Sequence, residues 1–155
     1  MRILVVSDTH RDRYALRNAL LAQPNAEVVI HLGDGEEEAN EMKLNFPEKM
    51  FLQVRGNCDW GSTLPTEGIA QFEGKRIFYT HGYTYNVKFG LYEAVSAARA
   101  KKADVLLFGH THNPIAEYRD GLYIMNPGSL NGSNGTYGTL DITPAGIVTN
   151  IVSCD

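Results

Sequence analysis

Seven residues of cation-binding type fall in five short blocks: Asp8-x-His10, Gly33-Asp34, Gly56-Asn57, His81 and Gly109-His110-x-His112. Taken singly, each block has an ordinary reading. Gly-Asp and Gly-Asn pairs are common turn formers, and an aspartate ahead of a helix is a cap. Taken together, the ordinary reading fails, because four of the chain's five histidines (His10, His81, His110 and His112) sit in these blocks. His110 and His112 are two residues apart after an apolar run, so their side chains point the same way. Carboxylate, amide-oxygen and imidazole donors mixed in this manner suit Mn²⁺, Fe, Zn²⁺ or Ni²⁺ rather than Ca²⁺, which prefers oxygen alone. Seven donors exceed one tetrahedral site and are about right for two cations. Cations ~3.5–4 Å apart clamp phosphate oxygens and lower the pKa of a water between them, giving hydroxide near neutral pH. Cysteine is not required.

The elements that must position these residues are legible from periodicity. Residues 2–6 are a short apolar, mostly β-branched run that stops at Ser7-Asp8, as a buried strand would. Apolar positions at Ala15, Leu16, Ala19 and Leu20 make one face of a helix over 11–22. Residues 27–32 form a second strand ending at Gly33-Asp34. An acidic helix over 36–46 stops before Pro47, and a third strand covers 51–54. Glu73-Gly74, Asp120-Gly121 and Pro144-Ala145-Gly146 each separate two strand-like runs and predict three hairpins. Between the first two hairpins lie a helix, striped by Leu91, Ala94, Val95 and Ala98, and a buried strand over 104–108. These elements predict an α/β fold in which two mixed β-sheets are sandwiched with helices outside. No linker is visible, and residues 131–138 are the one loop-like patch, so 1–155 reads as a single domain. Every one of the seven donors then lies at a strand end, where open α/β sheets place their ligands.

Bulk properties narrow the class. The chain has 155 residues, 43% of them hydrophobic and 21% charged, which is ordinary globular composition and excludes disorder and fibrous repeats. The net charge of −4 carries no broad basic footprint for nucleic acid. No apolar run approaches a membrane span or the core of a signal peptide. Two cysteines, Cys58 and Cys154, are too few for a disulfide scaffold and fit a reducing cytoplasmic setting.

In order, these blocks resemble the motifs of the calcineurin-like metallophosphoesterases. The Gly-Asn-Cys-Asp form at 56–59 and Asn126-Pro127-Gly128-Ser129 are similar to the small bacterial and archaeal phosphodiesterase branch. The resemblance runs from Ile3 to about Ser129. It implies a four-layer α/β sandwich and a dinuclear centre, with manganese the expected metal. Asp8, His10 and His112 would bind the first ion. Asn57, His81 and His110 would bind the second, and Asp34 would bridge. The implied activity is hydrolysis of a small-molecule phosphodiester by in-line attack of hydroxide. A different reading is a non-catalytic metal-binding scaffold, as the phosphoesterase-like small subunit of the retromer coat is thought to be. Retention of a donor at every position favours the enzyme. Larger family members usually carry a histidine directly after the Gly-Asn pair to protonate the leaving group. Cys58 stands there in this chain and is a weaker donor. Small relatives often follow Asn-Pro-Gly-Ser with Pro-Arg-Gly, which the Ser/Gly/Asn-rich 131–138 segment lacks.

The remaining polar residues have less specific readings. His31 lies inside an apolar strand and is expected to be a hydrogen-bonded core group. Glu36, Glu37 and Glu38 are expected to be an acidic first helical turn favoured by the helix dipole. Arg11 and Arg13 stand beside the Asp8–His10 block and could meet phosphate. Trp60, Tyr79, Tyr83 and Tyr85 fit either a substrate face or a subunit contact in a homo-oligomer.

Overall fold

In strand β1 (Arg2–Val6), Ile3 and Val5 face one way and Leu4 and Val6 the other, and all four are fully buried. A strand covered on both sides must lie in the middle layers of a sandwich. The computed structural model describes residues 1–154 and shows those layers. In chain order come β1, helix α1 (Arg13–Ala22), β2 (Val28–His31), α2 (Glu36–Asn45), β3 (Met50–Gln53), β4 (Glu67–Phe72) and β5 (Lys75–Thr80). Two short 3₁₀ turns (Tyr83–Tyr85 and Val87–Phe89) lead to α3 (Tyr92–Ala100) and β6 (Val105–Leu107). The hairpins β7 (Ile115–Arg119)/β8 (Leu122–Asn126) and β9 (Thr136–Thr143)/β10 (Gly146–Ser153) complete the order.

One sheet has the order β10-β9-β1-β2-β3, the other β4-β5-β6-β8-β7. Both are mixed, as the sequence predicts. β1, β2 and β3 run parallel in the first, and β5, β6 and β8 run parallel in the second. Ile3, Val5, Val28 and Ile30 pack between the sheets against Ile77, Val105, Leu107 and Met125. The opposite face of the first sheet, with Leu4, Val6 and Val29, is covered by Leu16, Ala19 and Leu20 of α1 and Met42 of α2. Ala94 and Ala98 of α3 cover Phe78, Leu106 and Ile124 on the outside of the second sheet. Helices, sheet, sheet and helix make four layers.

One predicted boundary moves for a local reason, and one predicted turn holds. Helix α1 starts at Arg13 because Asp12 caps it, accepting the Ala15 N–H at 3.0 Å. The Asp120-Gly121 turn has positive φ at both residues (45° and 86°), the type I′ geometry the dipeptide predicts. Parallel strands bring their C-terminal ends to the same edge, and β1, β2, β3, β5 and β6 all end at the edge shared by the two sheets.

The inter-sheet core sets stability. Leu107 is fully buried within it. Leu107→Ala is expected to lose ~2–5 kcal/mol of unfolding free energy by urea titration. Leu44, 81% exposed on α2, should change by less than ~0.5 kcal/mol when truncated to alanine. Equal losses would mean that the core lies elsewhere.

Candidate metal centre

The parallel ladder between β1 and β2 continues past the strands. Leu32 N–H donates to Val6 O, Asp8 N–H to Gly33 O and His10 N–H to Asp34 O, at 2.8, 3.0 and 3.0 Å. Two loops are thereby held side by side, with Asp8 and Asp34 facing each other. Five donor residues adopt left-handed backbone: Asp8 (φ 55°), His10 (44°), Asp34 (60°), His110 (68°) and His112 (63°). Each such residue costs roughly 1–3 kcal/mol, and clusters of this strain mark functional sites. The turns also crowd one another. A Cβ on Gly56 would strike the Asp34 carboxylate, and one on Gly109 would strike the Ser7 hydroxyl.

All seven sequence-predicted donors come together here. His112 Nε2 lies 3.2 Å from Asp8 Oδ1 and 3.4 Å from His10 Nε2. His81 Nε2 lies 3.1 Å from Asn57 Oδ1, 3.2 Å from His110 Nδ1 and 3.3 Å from Asp34 Oδ2. The two groups join through the carboxylates. Asp34 Oδ2 is 3.8 Å from His10 Nε2, and Asp8 Oδ1 is 3.8 Å from His81 Nε2. Each carboxylate divides its oxygens in the same way. Asp8 Oδ2 accepts from the Ser7 hydroxyl and the His110 N–H, leaving Oδ1 to the imidazoles. Asp34 Oδ1 accepts the Cys58 N–H, leaving Oδ2. His81 Nδ1 donates to Leu32 O at 2.7 Å, which directs the Nε2 lone pair into the cluster.

Lone pairs facing lone pairs require a cation between them. The donor chemistry fits divalent metal. Asp8–His10–His112 and Asp8–Asp34–His81 each offer three ligand atoms within 4.8 Å of one another. A third group, His10–Asp34–Cys58, places the Cys58 thiol against the same cluster, beyond what the sequence required. Without metal, the imidazoles and carboxylates shift one another's pKa. Burial pushes the His81 imidazole down, but the Asp34 hydrogen bond and the Asp8 and Asp34 charges outweigh it, so its pKa is raised. Burial pushes Asp34 up, but His81 holds it well below the usual carboxylate range. His110 is lowered by burial and by the neighbouring His81. Cys58 is raised by burial and the Asp34 charge, which keeps the thiol protonated.

Other polar residues brace the loops. His31 is buried as expected, and its pKa is lowered by desolvation. Its Nδ1 accepts the Gly33 N–H, so Nε2–H donates to Thr9 Oγ1, whose hydroxyl donates to Glu38 Oε2 at 2.6 Å. Glu38 is therefore a buried brace rather than part of a solvated acidic turn, and it also accepts the Arg11 N–H. Asp59 closes the Gly-Asn-Cys-Asp form, where the sequence gives it no role. Its carboxylate accepts the N–H groups of Asp34, Gly35, Glu36 and Gly56 at 2.8–3.2 Å, tying the Asp34 loop to the Asn57 loop. Ser129 donates to Asp8 O, and Asn131 donates to Thr9 O. Asn131 thus gives the 131–138 segment a structural contact with the rim.

The surrounding aromatics and arginines separate. Arg11 and Trp60 line a cavity of about 610 Å³ that opens off His10 and Asp34. Arg13 pairs with Glu41 instead, at 3.6 Å. Tyr79 is buried in the inter-sheet core, and Tyr85 donates to Glu67. The Tyr83 ring stands 5.9 Å from that of His81.

Comparison with known proteins gives consistent matches. The model of the calcineurin-like phosphoesterase superfamily domain matches residues 1–144. Phosphodiesterase YfcE of Escherichia coli strain K12 is 30% identical over 91% of this chain and 88% of its own length. Vacuolar protein sorting-associated protein 29 of Schizosaccharomyces pombe is 34% identical over 86% of this chain and 74% of its own. A solved structure of a predicted phosphoesterase from Streptococcus pneumoniae superposes with a TM-score of 0.84. It is 23% identical and covers 99% of this chain and 90% of that one, a likeness of fold.

Asp59 and the His81–Asp34 pair generate two expectations. In Asp59→Asn, one carboxylate oxygen becomes an amide NH₂ facing N–H donors. Metal affinity should fall by about 10–100-fold in competition titrations, and unchanged affinity would assign the loop geometry elsewhere. The pH dependence follows from signs. Because His81 is raised, its contribution to metal-free stability is full below ~6.5 and lost as pH climbs through its folded value. Because Asp34 is lowered, its contribution is full above ~3.9 and lost as pH falls through its folded value. Metal binding needs neutral imidazoles, so the rise in Tm on adding Mn²⁺ should grow between about pH 5.5 and 8. A pH-independent rise in scanning calorimetry would rule out imidazole ligation.

Proposed function

The chain belongs to the calcineurin-like phosphoesterase superfamily, and we propose that it is a phosphodiesterase acting as one domain over residues 1–155 with two divalent cations. The observation that carries this reading is the convergence of seven lone-pair atoms from five strand ends, with one oxygen of each buried carboxylate left for cations. Asp8, His10 and His112 would hold one ion, Asn57, His81 and His110 would hold the other, and Asp34 would be shared between them. Mn²⁺ suits this donor set best, with Ni²⁺, Zn²⁺ and Fe also compatible. When bound, such ions clamp phosphate oxygens and make hydroxide available near neutral pH.

The chain's own groups do the rest. The Leu32 carbonyl fixes the His81 tautomer, and the Ser7 and Cys58 loops hold the carboxylates still. Cys58 stands on the leaving-group side, where its protonated thiol is a weak donor, so easily departing alcohols should react fastest. The substrate is a small-molecule diester in the cytoplasm. Among the described residues no helix is long and apolar enough to cross a membrane.

Similarity to the fission-yeast sorting protein favours a second reading, a metal-binding scaffold without turnover. Assay of bis(p-nitrophenyl) phosphate separates the two. Chelation should abolish turnover, and Mn²⁺ should restore it better than Mg²⁺, which dehydrates reluctantly and disfavours imidazole. Asp34→Asn should lower the rate by more than about 100-fold, beyond the loss typical of groups behind the ligands, and should reduce the bound-metal count. A metal-replete protein without turnover would leave the scaffold reading standing.

A further inference from the structure

The cavity beside the metal centre has an unusual division of charge. His10, Asp34 and Arg11 line it at the metal end, while Glu36, Glu37 and Trp60 belong to the same wall. Its volume of about 610 Å³ is ample for a small ligand. Trp60 is the chain's single tryptophan and is 89% exposed, an uncommon setting for so large an apolar group. Its backbone is nevertheless anchored. Asp59, the residue before it, binds the Glu36 N–H at 3.2 Å, so the turn carrying Trp60 and the first turn of α2 hang on one carboxylate. Asp59 and Glu38 are consumed by internal hydrogen bonds. Among the described residues, the Glu36 and Glu37 carboxylates and the Arg11 guanidinium make none.

A cavity lined by an exposed indole and two unpartnered carboxylates attracts an ammonium group, and the same carboxylates repel a second phosphate. Arg11, at the end nearest His10, fits the phosphate itself. We propose, on the phosphodiesterase reading above, that this cavity is the subsite for a cationic ester arm: the substrate is a zwitterionic diester, one of whose alcohols carries an ammonium group. Trp60, Glu36 and Glu37 are then the specificity-determining residues.

Three p-nitrophenyl diesters with the same leaving group test this on the Mn²⁺-loaded protein: the phosphorylcholine, the methyl phosphate and the thymidine 5′-phosphate esters. The choline ester is expected to have a kcat/KM about tenfold above the methyl ester, the size of a partly desolvated cation–π contact. The ratio should collapse towards one in Trp60→Ala and in the double variant Glu36→Gln/Glu37→Gln. A ratio near one in the unaltered protein, or one unchanged in both variants, would overturn the proposal. So would a preference for the thymidine ester lost in Trp60→Ala, which would assign the cavity to a nucleoside. Absence of turnover on all three esters counts against the phosphodiesterase reading alone. In that case Trp60 fluorescence decides the subsite. Phosphocholine should produce a saturable change that methyl phosphate does not, and equal responses would overturn it.

Discussion

The energetic centre of this protein is the burial of two carboxylates beside the imidazoles of His81 and His112. Asp8 is wholly enclosed and Asp34 nearly so, each 3.2–3.3 Å from an imidazole nitrogen. An ion removed from water without compensation costs several kcal/mol. One oxygen of each carboxylate is compensated internally, by a hydroxyl or backbone N–H. The other is compensated only by positive charge in the cluster. In metal-free protein His81 and Asp34 favour each other's charged forms, which is why the imidazole and that carboxylate shift in opposite directions. Divalent metal supplies the positive charge more fully.

The rest of the chain's architecture answers to this cluster. Left-handed backbone at five donor residues is unfavourable in isolation, and it persists because the loops are over-determined. Asp59 gathers four backbone N–H groups from two loops, and the His31–Thr9–Glu38 chain ties β2 to the loop after β1 and to α2. Such groups sit behind the donors and set the distances between them. Stability comes from elsewhere, from the apolar layers between and outside the sheets. That separation lets the rim be strained while the body stays intact.

The open face of the cluster determines what can approach. On the proposed reading a phosphate would be drawn by metal and by Arg11, whereas Glu36 and Glu37 make the adjoining wall negative. On the same reading, hydrolysis and specificity would divide between two neighbouring sets of residues, one rigid at the strand ends and one on the first turn of α2 and the turn after Asn57.

Much of this was written in the sequence. Short apolar runs ending in Asp, Asn or His announced strands with donors at their ends, because strand periodicity and turn chemistry are local. The seven donor residues, the three hairpins and the apolar face of the first helix are legible for the same reason. Asp59 and Glu38 were not: a carboxylate binding backbone N–H groups more than twenty residues away has no local signature, and an acidic helical turn looks alike whether solvated or enclosed. Nor could spacing tell that three donor strands lie in one sheet and two in the other, or that Arg11 lines the cavity while Arg13 pairs with Glu41. Residue type and local periodicity fix which groups are present and on which element. Which groups meet, and which oxygen of a carboxylate is left free, depends on how two sheets pack face to face, and only the tertiary structure decides that.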